Sequence, residues 1–149
     1  MSEVQPTTGQ FNFVQFSVPQ FFYEESTINN GILNIDIKPS GVYVTDKFEY
    51  RLLVEFRAFE EQNKDSDIIT MNSVSVFKFA NGQSFDEIPE FFFQSALAIT
   101  YPYIRSFITT FTAQANVKRV VLGLANMTVF GEELRENTQQ INSTAQEGS

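Results

Sequence analysis

Residues 84–130 read SFDEIPEFFFQSALAITYPYIRSFITTFTAQANVKRVVLGLANMTVF, and their spacing decides the fold. Phe93, Leu97, Tyr101, Ile104, Ile108, Phe111 and Ala115 recur at helical intervals, with Phe92, Ala96, Ile99, Tyr103 and Phe107 on a neighbouring side. So wide an apolar arc has more surface to bury than one sheet face covers, and part of this helix is expected to meet another subunit. Ser84 and Glu87 stand at capping-box spacing and Pro89 suits a first turn, so the helix is expected to start between Asp86 and Pro89 and to end near Ala115. Pro102 cannot donate to the carbonyl of Ala98 and crowds it, which predicts a kink. After a short β-branched run, Asn126 is a fair N-cap for a second helix carrying Met127, Phe130 and Leu134 on one side.

Upstream the period changes from helical to alternating. From Lys47 to Glu60, Phe48, Tyr50, Leu52, Val54, Phe56 and Ala58 alternate with Glu49, Arg51, Glu55 and Arg57, a strand with one buried and one wet face. Leu33, Ile35 and Ile37 alternate with Asn34, Asp36 and Lys38, and Pro39, Ser40 and Gly41 are expected to bend the chain before Val42 to Val44. Ile68 to Phe79 is apolar at both parities, so both its faces are expected to be partly covered. Gln10 to Val18 places Phe11 and Phe13 on one parity and Val14, Phe16 and Val18 on the other, which suggests a bulge or an edge pairing outside the protomer. Strands first and helices second indicate an α+β layer with a four-stranded antiparallel sheet, one long kinked helix and one shorter C-terminal helix. The organisation expected is a flexible N-terminus over 1–10, one domain over 11–136 and a disordered acidic tail over 137–149.

Composition narrows the function. The 149 residues suffice for one ordinary core, and 42% hydrophobic content with 17 Phe is too rich for disorder. No run of about 18 apolar residues is present, so no stable membrane insertion is expected. The start, MSEVQPTTGQ, has no basic and then apolar leader, from which a cytoplasmic protein is expected. A net charge of -8 with scattered Lys and Arg argues against nucleic acid and favours basic partners.

Catalytic vocabulary is nearly absent. There is no His and no Cys, which removes the imidazole base, the thiolate nucleophile and ordinary zinc or haem sites. The pairs Glu24–Glu25, Glu60–Glu61 and Glu132–Glu133 are chain neighbours whose side chains diverge. Asp65 and Asp67 resemble a fragment of a calcium loop that lacks its Gly and closing Glu, so no metal is assigned. Neither phosphate-binding glycine pattern occurs, and no cofactor is expected. An acidic, Phe-rich chain of this kind is expected to bind rather than to react. Phe21 to Tyr23 and the triplet Phe91 to Phe93, which no single helix face buries, are the apolar groups singled out for exposure or an interface.

Tyr101-Pro102-Tyr103-Ile104-Arg105, then Ser106-Phe107-Ile108-Thr109, then Val120-Val121-Leu122-Gly123-Leu124-Ala125-Asn126 resemble the SecB family of export chaperones. Phe11 to Glu24 is similar to that family's first strand and Phe48 to Arg57 to its third, and the likeness covers roughly residues 11–136. The resemblance implies a four-stranded antiparallel sheet, a long and a short helix, and dimers paired into a homotetramer with the long helices between two sheets. On that view Phe93, Leu97, Tyr101, Ile104, Ile108 and Phe111 form the assembly helix. The implied activity is ATP-independent holding of unfolded or precursor polypeptides in apolar grooves. Phe22, Tyr23, Leu122, Leu124, Met127 and Phe130 are then the client-facing candidates. Docking on the export motor SecA would use acidic sheet positions, of which Glu24 is acidic here and Gln20 and Thr70 are not. Two alternatives stand beside it, a SecB-like chaperone of a toxin-antitoxin pair and an α+β module that encloses a small apolar ligand.

Overall fold

The computed structural model describes residues 10–24, 33–60, 63–115 and 126–143. The alternating stretches become β1 (Phe11–Tyr23), β2 (Leu33–Val44), β3 (Glu49–Glu60) and β4 (Asn63–Phe79). The helical stretch becomes α1 (Glu90–Ala115), and after a 3₁₀ turn over Met127–Phe130 the chain forms α2 (Gly131–Glu136) and β5 (Thr138–Ile141). One sheet contains all five strands in the order β1-β4-β3-β2-β5. Its first four strands pair antiparallel, and β5 runs parallel to β2.

The period of two in β3 is what makes the sheet two-faced. Tyr50, Leu52, Val54, Phe56 and Ala58 stand opposite Phe77, Ser75, Ser73, Met71 and Ile69 of β4, and this face is buried beneath α1. From the helix, Phe92, Phe93, Ala96, Leu97, Ile104 and Ile108 fill the layer, each such large apolar side chain contributing roughly 1.5–3 kcal/mol by leaving water. Small β4 residues bring helix and sheet close at the middle, where Thr100 Oγ1 lies 2.8 Å from Ser75 Oγ. Phe92 is the hub, with Phe11, Phe79 and Tyr50 at 4.8–4.9 Å between ring centroids. Val74 and Val76 of β4 are half-buried on the other face, in keeping with its apolar pattern at both parities.

Several sequence expectations are corrected. The sheet has five strands and is mixed, because Thr138–Ile141 pairs with Gly41–Val44. The tail expected from residue 137 is thus ordered over this stretch. Thr-Gln-Gln-Ile carries no burial pattern, and only the backbone ladder and a neighbouring tyrosine make it a strand. The expected bend at Pro39 is absent, since Leu33 to Val44 pair with Glu60 to Glu49 without a break. Gly41 N–H and Thr45 N–H point away from β3, toward β5, so Pro39 has the same parity and lacks its N–H on the side where β3 does not need it. The β3 strand begins at Glu49 rather than Lys47, because Phe48 takes a positive φ of 54° in the turn from β2. Its carbonyl still accepts from Phe79 N–H at 2.8 Å, which closes that end of the sheet.

Ser84 does not act as a capping box. It precedes a 3₁₀ turn over Phe85–Glu87 without a side-chain cap, its carbonyl accepting from Glu87 N–H, and α1 begins at Glu90. Pro102 lies inside α1 on its exposed side. Asn126 does cap, its side chain accepting from Thr128 N–H, but the turn it opens is 3₁₀ before it becomes α2. The parity switch in β1 proves to be two register breaks, between Phe13 and Gln15 and between Ser17 and Gln20, the second holding Pro19. Among the described residues no helix is long and apolar enough to cross a membrane.

Candidate functional site

The break after Phe13 has a consequence for the surface. One extra residue returns Phe16 to the side occupied by Phe13, so Phe13, Phe16, Phe21 and Tyr23 all face α1. The helix answers with Tyr103, Phe107 and Phe111, spaced four residues apart and therefore stacked along one side. Phe13 and Phe16 lie 5.1 and 5.4 Å from Tyr103, and Phe21 lies 5.0 Å from Phe107 and 4.4 Å from Phe111. Tyr23 closes the row 6.0 Å from Phe111. The result is an aromatic seam where the outer strand meets the helix. It is not sealed within the described residues: Tyr103 keeps 45% and Phe111 38% of its surface exposed.

This seam redistributes the residues expected on the assembly helix. Phe93, Leu97, Tyr101, Ile104 and Ile108 are buried in the protomer's own core, against its own sheet. Of that group Phe111 alone remains on the surface. The apolar side left over is the neighbouring one, which includes Tyr103 and Phe107. Phe92 and Ala96 of the neighbouring side are also buried against the sheet, so the excess that one sheet face does not cover is the later part of that side, Tyr103 and Phe107, together with Phe111. Burial raises the Tyr101 phenol pKa above its ordinary value, in keeping with its place beneath the surface.

The expected client-facing residues do not form one cluster. Phe22 is 54% exposed, but it sits opposite Thr70 on the sheet face away from the helix, whereas Tyr23 faces the helix. Adjacent strand residues point to opposite sides, so the pair cannot share a groove. Met127 is only 5% exposed and packs into the core, with Phe130 half-buried against it. Val129, between them in sequence, is 70% exposed instead. Leu122 and Leu124 lie outside the described residues. Glu24 is exposed at the end of β1, its N–H donating to Ile68 O at 2.9 Å.

The open face of the sheet is charged in both senses. Asp36, Glu49, Glu55 and Asp67 share it with Lys38, Arg51, Arg57 and Lys78. Arg57 is clamped by Asp67 at 2.7 Å, donates to Lys64 O at 2.8 Å and lies 4.3 Å over the Phe59 ring. Arg51 pairs with Glu49 at 2.9 Å. A shallow depression between Asp36, Lys38, Glu55, Arg57, Thr70 and Asn72 lies on this face. Phe56 and Met71 also contribute to it, so side chains of both charge signs and apolar atoms line it together.

At the opposite edge of the sheet from the seam, Tyr50 reaches across β2 to β5. Its hydroxyl lies 2.6 Å from Thr138 Oγ1, and Thr138 spends its one proton on Leu134 O at 2.7 Å, so Tyr50 is the donor. The crossing needs Gly41, because a Cβ there would stand 1.9 Å from the Tyr50 hydroxyl. Burial pushes the Tyr50 phenol pKa well up, and that of Tyr43, which donates to Gln83 O at 2.6 Å, up to about 12.

Sequence reading singled out Phe21 and Tyr23 of the β1 half of the seam but missed Phe13 and Phe16. The signal was present in the parity switch of Phe11 to Val18, which read as a bulge or an edge pairing outside the protomer without showing which rings it would align. No family model and no curated protein matches this chain. Among solved structures it is similar to the Mycobacterium tuberculosis Rv1957 SecB-like chaperone in complex with a ChAD peptide from the Rv1956 HigA1 antitoxin. The TM-score is 0.53 at 16% identity, covering 77% of this chain and 90% of that one. The fold of this chain, a five-stranded mixed sheet with two helices, is therefore similar to that of a SecB-like chaperone.

Proposed function

We propose that this chain is an ATP-independent holdase that binds unfolded or precursor polypeptide and keeps it from aggregating. The aromatic seam carries the reading: a half-exposed row of rings on a SecB-like frame, adaptable in what it packs against and too extended for a small ligand. Holding needs many modest apolar contacts at once rather than one tight pocket. The similar solved chaperone binds an antitoxin peptide, which supports a polypeptide as the partner. Assembly into a homotetramer of paired dimers in the cytoplasm belongs to the same proposal.

The test is suppression of aggregation of a chemically denatured substrate, without nucleotide, at several-fold excess of the protein. Unchanged light scattering from the substrate would defeat the holdase reading. Molar mass of the purified protein measures the assembly part separately, with a tetramer expected and a monomer against it.

A second reading gives the holdase a dedicated client, the antitoxin of a toxin-antitoxin pair. The balanced charge of the open sheet face favours it over delivery to SecA, for which an acidic face would be the natural docking surface, and Glu24 alone of the three matched positions is acidic. SecA binding measured directly, with none expected, separates the two.

A further inference from the structure

The outer edge of β2 is half closed by the chain's own end. Toward β3, every residue from Leu33 to Val44 has a partner, whereas on the other side only Gly41 to Val44 do, against Thr138 to Ile141 of β5. A strand residue sends its N–H and C=O to one side and the next residue to the other. Gly41 N–H donates to Asn137 O at 3.1 Å and Thr45 N–H to Ile141 O at 2.8 Å, so the odd-numbered residues of β2 serve this edge. Leu33, Ile35 and Ile37 share that parity, and no strand among the described residues lies beyond them. Pro39, with no N–H to give, divides the open half from the closed one.

What holds β5 down is almost wholly polar. Gln139 and Gln140 are exposed and Thr138 and Ile141 only half-buried. The contacts are the ladder, the Tyr50–Thr138 bond, Thr45 Oγ1 to Ile141 O at 3.1 Å, and Ser143 N–H to Asp46 at 3.0 Å. Bonds of this kind exchange for bonds to water at small net loss, unlike buried apolar area. The element before it is anchored otherwise: Leu134 of α2 is fully buried, and the helix ends at Asn137, whose N–H returns to Glu133 O. The strand can therefore lift from Asn137 onward without unpacking the core.

We propose that β5 is a strap that competes with extended polypeptide for the Gly41–Thr45 edge of β2. Closed, it shields an edge that would otherwise pair with any strand; lifted, it exposes the N–H groups of Gly41, Tyr43 and Thr45 to an incoming one. The competition rests on the reading that this chain holds non-native polypeptide, while the lifting does not.

Two measurements test it. The protein has no cysteine, so Val42→Cys with Gln139→Cys, a pair in register across the two strands, can be joined as a single disulfide. A reduced, carboxymethylated, fluorescently labelled protein serves as the unfolded probe. The oxidised variant is expected to bind it about five-fold or more weakly than the same variant in reductant, a modest population shift. Equal or tighter binding after oxidation overturns the competition. If the wild-type protein binds no probe, the holdase reading fails by itself, and hydrogen exchange decides the strap. The Gly41 and Thr45 amides are expected to exchange at least about 100-fold faster than β3 amides paired to β4, as locally opening segments do. Equal protection of the two sets overturns it.

Discussion

The two edges of this sheet are finished in opposite ways. At the β1 edge, side chains do the work: rings from strand and helix interlock, and the residue of their surface that faces outward is apolar. At the β2 edge, the backbone does it: β5 adds a ladder, a phenol and a carboxylate hold it, and the outward surface is glutamine. Apolar packing is lost only when atoms separate, whereas hydrogen bonds to an exposed strand have water as a ready substitute. The contrast teaches which edge is built to stick to other molecules and which is built to open.

Phe92 is where the two systems share a support, and breaking it should break both. Phe92→Ala removes a buried ring touching Phe11, Tyr50, Phe77 and Phe79, and should cost about 3–5 kcal/mol in urea unfolding. A loss below about 1 kcal/mol would mean that the β1 edge and the core do not meet there. Gly41→Ala acts on the β2 edge only. The new methyl would collide with the Tyr50 hydroxyl and force that bond to Thr138 apart, with an expected loss of about 1–3 kcal/mol and faster exchange at Thr45 but not in β1.

At the seam, replacing Phe107 and Phe111 together by Ser should cost only about 1–2 kcal/mol, because both rings are already partly in water. Aggregation suppression by the same variant should fall several-fold. Retained suppression would move client binding to another surface.

The pH dependence bears on the β2 edge, where Tyr43 lies on β2 and Asp46 holds Ser143 just after β5. Tyr43 has its phenol pKa raised by burial from 10.0 to about 12, so its native form keeps a proton that the unfolded chain gives up first. Stability is then complete below pH 10 and declines between 10 and about 12, and a Tyr43→Phe variant should show a shallower decline in alkaline unfolding. The smallest effect is expected at Asp46, whose carboxyl is held below its ordinary value first by the Ser143 side chain and then by the Ser143 backbone N–H. Its contribution is present above the usual carboxylate range and lost as pH falls through the lowered value. Acid should therefore loosen β5 before the rest, and Asp46→Asn should remove that pH dependence in the exchange of Thr45.

Much of this was legible where a residue's neighbours in sequence are also its environment. The alternation of Tyr50 to Ala58 predicts a one-sided strand because side-chain direction follows from the pleat. The switch of parity after Phe13 announces a bulge for the same reason, and Asn126 caps its turn through a bond two residues long. Met127 reads as available and is buried, because its burial depends on how the turn after Asn126 packs against α1. Phe22 and Tyr23 read as one patch and are separated by the sheet they belong to.

The amino-acid sequence alone determined the kinds of element, the face each would bury, the lack of imidazole and thiol chemistry, and an excess of aromatic surface. Local sterics and periodicity set those, and they act over a few residues. Tertiary structure alone decided which aromatic rings became core and which became seam, that Pro39 falls on the side where no partner needs its N–H, and that a polar Thr-Gln-Gln-Ile becomes a fifth strand. Each of these depends on what lies across the sheet, and a strand held by its backbone bonds leaves little trace in its side chains.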